Sequence, residues 1–175
     1  MALFLVALTM LFGASLIGFV VIRIKNSDVM PMGQIGVPGG LWISTGLILV
    51  ASFTIHRALH SVLNKCQARF RNGLAITVLL AVGFLLVQTP SLMKYLAEHY
   101  GTEGDVYLHG LIFFLILVHA LHVIGGVLPL VYIMVKAHQG AYDHEHYGPV
   151  KYISMYWHFL DGVWLVMFTV LLITR

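Results

Sequence analysis

Five long apolar stretches, parted by short polar breaks, constrain this chain more than any other feature: about 2–22, 41–59, 74–95, 106–135 and 150–173. A helix needs roughly 20 apolar residues to cross a hydrocarbon core of about 30 Å. In lipid the backbone of such a segment must satisfy its own hydrogen bonds, which a helix does. The expectation is an all-α integral membrane protein: one membrane domain over residues 1–175, a bundle of five transmembrane helices. Composition agrees, because 59% of the residues are hydrophobic and 10% are charged, more apolar surface than a soluble core of this size can bury.

Individual stretches carry their own constraints. The first lacks a basic leading segment and exceeds the apolar part of a signal peptide, so it reads as a retained span. The second is entered through "VPGG" at 37–40. In the third, "QTPS" introduces Pro90, which ends the helix or kinks it, with 92–95 continuing past the break. The fourth has 30 residues, about 45 Å as a helix, so it tilts, protrudes or bends near Gly125, Gly126 and Pro129.

Basic residues set an expected orientation. With a cytoplasmic N-terminus, the second and fourth connections hold Arg57, Lys65, Arg69, Arg71, Lys136 and Lys151, six of the ten Lys and Arg. That bias favours N-terminus cytoplasmic and C-terminus periplasmic, and the cluster containing Arg57 becomes a candidate phospholipid contact. Cys66 is the sole cysteine, which excludes a disulfide within the chain and a paired-cysteine metal site. Neither an internal repeat, nor a phosphate-binding loop, nor a nucleic-acid motif is evident in the sequence.

Ionisable side chains inside apolar spans are costly and call for an account. His119 and His122, in "HALHVIGG", are three apart and share a helix face, with His109 only loosely on it. Ligation of a b-type haem is one reading; hydrogen bonding to neighbouring helices is the other. Bis-histidine ligation needs a partner at matching depth, and His56 and His158 lie nearer the ends of their stretches than His119 does. His56 and His60, four apart, need a third converging ligand before they make a metal site. "YDHEHYGP" at 142–149 reads as a solvated loop despite His144, Glu145 and His146. In "YWHFLDGVWL" at 156–165, His158 and Asp161 share a face and read as a polar clamp between helices or subunits, with Trp157 and Trp164 suited to an interfacial aromatic belt.

That last segment resembles the signature of the final helix of subunit III of haem-copper oxidases, through Tyr156, Trp157, His158, Phe159, Asp161, Val163 and Trp164. A second block, His119, Leu121, His122, Val123 and Gly126, resembles the family's penultimate helix. Phe4, Met10, Phe12 and Gly13 follow part of an N-terminal pattern, and Gln88 matches a glutamine further on. Five spans fit the shorter bacterial members, which lack the first two of seven helices. Departures are also present: the family's intramembrane glutamate falls on Leu8 and the preceding serine on Ala7, other acidic positions fall on Ser91 and Lys151, and a Thr-Gly pair falls on Ile116 and Leu117.

The resemblance implies an accessory subunit of a respiratory terminal oxidase in the bacterial inner (cytoplasmic) membrane, with no catalytic, metal-binding or cofactor-binding residue of its own. It implies haem and copper on partner subunits, bound phospholipid, contact with catalytic subunit I and other oxidase subunits within a respiratory supercomplex, and support for proton-coupled oxygen reduction. His119, His122, Trp157, His158, Asp161, Trp164 and Arg57 are then the structural, interface or lipid-contact candidates. The alternatives are a b-type cytochrome anchoring a quinone-linked dehydrogenase, an accessory subunit of a nitric oxide reductase, and a small transporter, for which inverted repeats are wanting.

Overall fold

A computed structural model describes residues 2–25, 39–99, 106–140, 142 and 146–173. Five helices make it up: α1 (Ala2–Lys25), α2 (Gly39–Leu63), α3 (Gln67–His99), α4 (Val106–His138) and α5 (Gly148–Ile173). No strand occurs among the described residues. Each helix is long and apolar enough to cross a membrane, so the expected all-α, five-span class holds.

The helices outrun the apolar stretches because a helix continues into the polar interface beyond the hydrocarbon. α2 begins at Gly39, within the expected turn. α3 starts well before Leu74 and runs through Pro90 to His99. Pro90 removes one backbone donor, and hydroxyls on both sides bond nearby carbonyls: Thr89 Oγ1 donates to Leu85 O and Ser91 Oγ to Val87 O, each at 2.8 Å. α4, at 33 residues, likewise contains Pro129.

α2 and α3 form an antiparallel hairpin closed by a Schellman turn. Cys66 N–H donates to Ser61 O at 2.9 Å and Lys65 N–H to Val62 O at 3.2 Å, with Lys65 left-handed at φ 60°. Their close approach depends on Gly73, where an added Cβ would lie 2.9 Å from that of Ala58. One turn further on, Thr54 and Thr77 share a hydroxyl–hydroxyl bond of 2.9 Å. Contacts then run from α3 to α4, α4 to α5 and α5 back to α2, so these four helices close a ring. α1 touches only α4 and α5 among the described residues, and lies outside the ring. Phe12 and Phe19 of α1 pack there with Ile112, Leu115 and Ile116 of α4 and Met167 of α5.

The tryptophans of α5 correct one expectation. Trp157 and Trp164 are not belt residues, since they are 1% and 0% exposed and lie in the ring core. Seven residues apart, they occupy one inward stripe with Leu160 and Phe168, because α5 has α1, α2 and α4 around it. Of the paired glycines, Gly126 lies under the Tyr156 ring, 2.9 Å from the place of an added Cβ, whereas Gly125 faces open space.

Candidate functional site: the polar seam around α5

The ring core holds His119, 1% exposed. Its imidazole stacks on Trp164 at 5.2 Å and 28°, and presents edges to Phe84 at 6.3 Å and Phe12 at 6.1 Å. Neither ring nitrogen has a hydrogen-bond partner among the described residues. Trp164 is better anchored: its Nε1 donates to Thr45 Oγ1 at 3.0 Å, and that hydroxyl donates to Leu41 O at 2.7 Å. Gln88, one turn beyond Phe84 on α3, is also buried, with both amide atoms unpartnered among the described residues.

His122 does not join His119. Its Nδ1 lies 2.7 Å from Val118 O of its own helix, and its ring meets Phe12 edge-on at 5.4 Å. Tyr156 Oη donates to the His122 carbonyl at 2.9 Å, tying α5 to α4. Both rings meet Phe12 of α1, but only His119 reaches on into the ring core to Trp164 and Phe84. Leu8, where the resemblance drawn from the sequence expects a glutamate, is 6% exposed and part of the apolar core.

His158 and Asp161 both lie beside Ser52 of α2 but differ in burial. Asp161 is 5% exposed, and neither carboxyl oxygen makes a hydrogen bond of good geometry among the described residues, although Ser52 is a polar neighbour. His158 lies at the outer rim of the α2/α5 seam, its Nδ1 2.7 Å from Ser52 Oγ. The His56 ring is 5.9 Å from that of His158 and 4.8 Å from that of His60. Arg57, exposed beside them, places its guanidinium 5.7 Å from the Phe53 ring centroid. Trp157 Nε1, one residue before His158, has no partner among the described residues. No group of three or more His, Cys, Asp or Glu is arranged to hold a metal among the described residues; His144 and Glu145 lie outside them, as does the side chain of His109.

A third feature escaped the reading of motifs. A groove of about 830 Å³ opens between α4 and α5 beneath the start of α1, lined by Phe4, His122, Gly125, Tyr132, Tyr142, Tyr152 and Tyr156 among others. The Phe4 and Tyr156 rings meet at 5.9 Å. Tyr142, in the α4–α5 connection, is held by Gln67 Nε2 donating to its carbonyl at 3.0 Å. Burial, with Tyr132 adding to the effect, pushes its phenol above the ordinary range, so it stays neutral. The sequence signal was the four-residue spacing of Tyr152 and Tyr156, which places both phenols on one face of α5.

A family model described as cytochrome c oxidase subunit III matches residues 1–174. Cytochrome c oxidase subunit 3 of Bacillus subtilis (strain 168) is 30% identical over 170 residues, which cover 96% of this chain and 81% of that protein. The cytochrome bo(3) ubiquinol oxidase subunit 3 of Pseudomonas putida is 28% identical over 128 residues, 73% of this chain and 61% of the relative. The cytochrome c oxidase subunit 3 of Oryctolagus cuniculus is 28% identical over 145 residues, 81% of this chain. The chain spans 52% of that relative's length.

Proposed function

From the premise that this chain belongs to the cytochrome c oxidase subunit III family, we propose that it is a non-catalytic, cofactor-free subunit of a bacterial respiratory terminal oxidase. It packs on the haem-copper catalytic subunit, binds phospholipid and supports proton-coupled oxygen reduction there. Residues 2–25 begin on the cytoplasmic side and α5 ends on the periplasmic side, in keeping with six of ten basic residues in the second and fourth connections.

The observation that carries this reading is the surroundings of His119. An axial haem ligand needs a flat cavity over one ring nitrogen and usually a second ligand opposite. Here Trp164, Phe84 and Phe12 wall the imidazole on several sides. His119 thus contributes shape and packing. Phospholipid fits the α4/α5 groove: its aromatic and aliphatic walls suit an acyl chain, Lys136 lies one turn past Tyr132, and Lys151 precedes Tyr152. Basic residues at such a groove mouth attract anionic headgroups.

The test is mild-detergent purification through a tag on this chain, with a subunit inventory and reduced-minus-oxidised spectra before and after partners are stripped. The expected result is a haem-copper catalytic subunit in the preparation and all haem leaving with it. Haem b retained by the isolated chain overturns the reading and restores His119 and His122 as ligand candidates. An inventory holding a nitric oxide reductase in place of an oxidase redirects it.

A further inference from the structure

We propose that the outer face of the α2/α5 seam is covered, in the assembled complex, by a transmembrane helix of a different subunit carrying hydrogen-bond-accepting side chains at the level of His56 and His158. The inference rests on the functional reading above and adds to it the face and the chemistry of contact.

Depth comes first. His158 is ten residues into α5, about 15 Å from its start, and Ser52 is eleven residues before the end of α2, about 16 Å from that end. Their 2.7 Å contact ties the two helices at that level. Centred on a hydrocarbon core of about 30 Å, α5, about 39 Å long, would overhang it by a few ångströms at either end. On that placement His158 lies inside the apolar layer, and His56, next to Arg57, lies at its edge.

Exposure comes second. Both imidazoles are exposed on the bundle's outer surface, unlike His119. Ser52 engages one nitrogen of His158, and His56 makes only ring contacts among the described residues. Polar side chains at such depth face protein or water, not lipid tails. The other outer faces behave differently. Exposed Thr9, Thr89 and Thr169 each return their hydroxyl to the carbonyl four residues earlier, and large aliphatic side chains such as Ile17 of α1, Leu79 of α3 and Leu128 of α4 stand exposed on the outer faces. Such surfaces suit lipid.

Shape and charge identify the occupant. Gly46 of α2 and Gly162 of α5, the latter one turn above His158, are exposed with nothing within 4 Å of an added Cβ, which lets another backbone come close. A second copy related by a two-fold axis along the membrane normal would set Arg57 against Arg57 at one depth, and like charges repel. The face bears imidazoles and one guanidinium and no exposed carboxylate among the described residues. It calls for carboxylate, amide or carbonyl acceptors from a chain other than its own.

The experiment places a photoreactive phenylalanine analogue at Phe53 or Met155, which flank the imidazoles, and at Ile17 of α1 or Leu79 of α3, in the full complex in native membranes. The expected outcome is cross-links to another subunit from Phe53 and Met155 and lipid adducts from the other two. In parallel, the double variant His56→Leu/His158→Leu should insert normally yet lose about ten-fold or more of its co-purifying catalytic subunit, while His56→Asn/His158→Asn retains it. Lipid adducts alone at Phe53, cross-links to a second copy, or subunit cross-links only from α1 or α3 overturn the inference and leave the functional reading standing. Failure of the wild-type chain to bring down any haem-bearing subunit overturns both.

Discussion

At His119 the imidazole is surrounded by rings and, among the described residues, by no hydrogen-bond partner, so its contribution is shape. Replacing it by Phe preserves the stack on Trp164 and removes two unpartnered nitrogens. His119→Phe should therefore change stability by no more than about 1 kcal/mol. Thr45→Val should cost more, about 1–3 kcal/mol, because the buried indole N–H of Trp164 loses the one acceptor it has among the described residues. Thermal unfolding in detergent, followed by tryptophan fluorescence, ranks the two; a larger loss at His119 would mean that a polar partner holds it. The spacing of three reads as one shared helix face for His119 and His122, and the structure gives the two rings different surroundings: His119 is buried against Trp164 and Phe84, and His122 is bonded to Val118 O of its own helix. Which of the two reached into the ring core was illegible, because it depends on Phe12, Phe84 and Trp164 arriving from three other helices. The same holds for His158 and Asp161, which a single turn separates into rim and interior.

The helices were legible as elements because apolar length is a property of one segment read alone. Their ends were less so, since polar residues beyond the hydrocarbon continue a helix without any apolar signal, and because Pro90 is tolerated where neighbouring hydroxyls bond the carbonyls around it. At the turns the backbone makes distinct demands. Lys65 sits left-handed at φ 60° and Gly140 at φ 76°, a conformation that costs a residue with a Cβ roughly 1 kcal/mol. Lys65→Gly should stabilise the α2–α3 hairpin by about 0.5–1 kcal/mol, and Gly140→Ala should destabilise the end of α4 by about 1 kcal/mol. Opposite shifts in melting temperature check both signs. Gly73→Val should act more strongly than either, because Ala58 backbone and side-chain atoms both lie within 3.3 Å of the added Cβ and the two helices must part.

Across the whole molecule, the count of spans followed from the sequence while the order of packing did not, because no single stretch records which of its faces meets which neighbour. The groove belongs to that missing information: it forms only where α4, α5 and the first turns of α1 meet. The adjacent Gly125 and Gly126 allow a clean test of the lipid proposal. Gly125 lines the groove, and a Cβ there meets nothing within 4 Å, so a large side chain fills the space without displacing a helix. Gly126, the next residue, lies 2.9 Å from Tyr156 Cε1 by the same construction, so its enlargement forces α4 and α5 apart. Gly125→Trp should then remove tightly held phospholipid from the purified complex at unchanged subunit stoichiometry and nearly unchanged melting temperature. Gly126→Leu should lower the melting temperature by several degrees, since a steric clash of this kind costs about 1–3 kcal/mol. Native mass spectrometry reads the lipid, and detergent melting curves read the packing. Wild-type lipid content in Gly125→Trp would mean that the groove is not where the lipid sits, however well its walls suit an acyl chain.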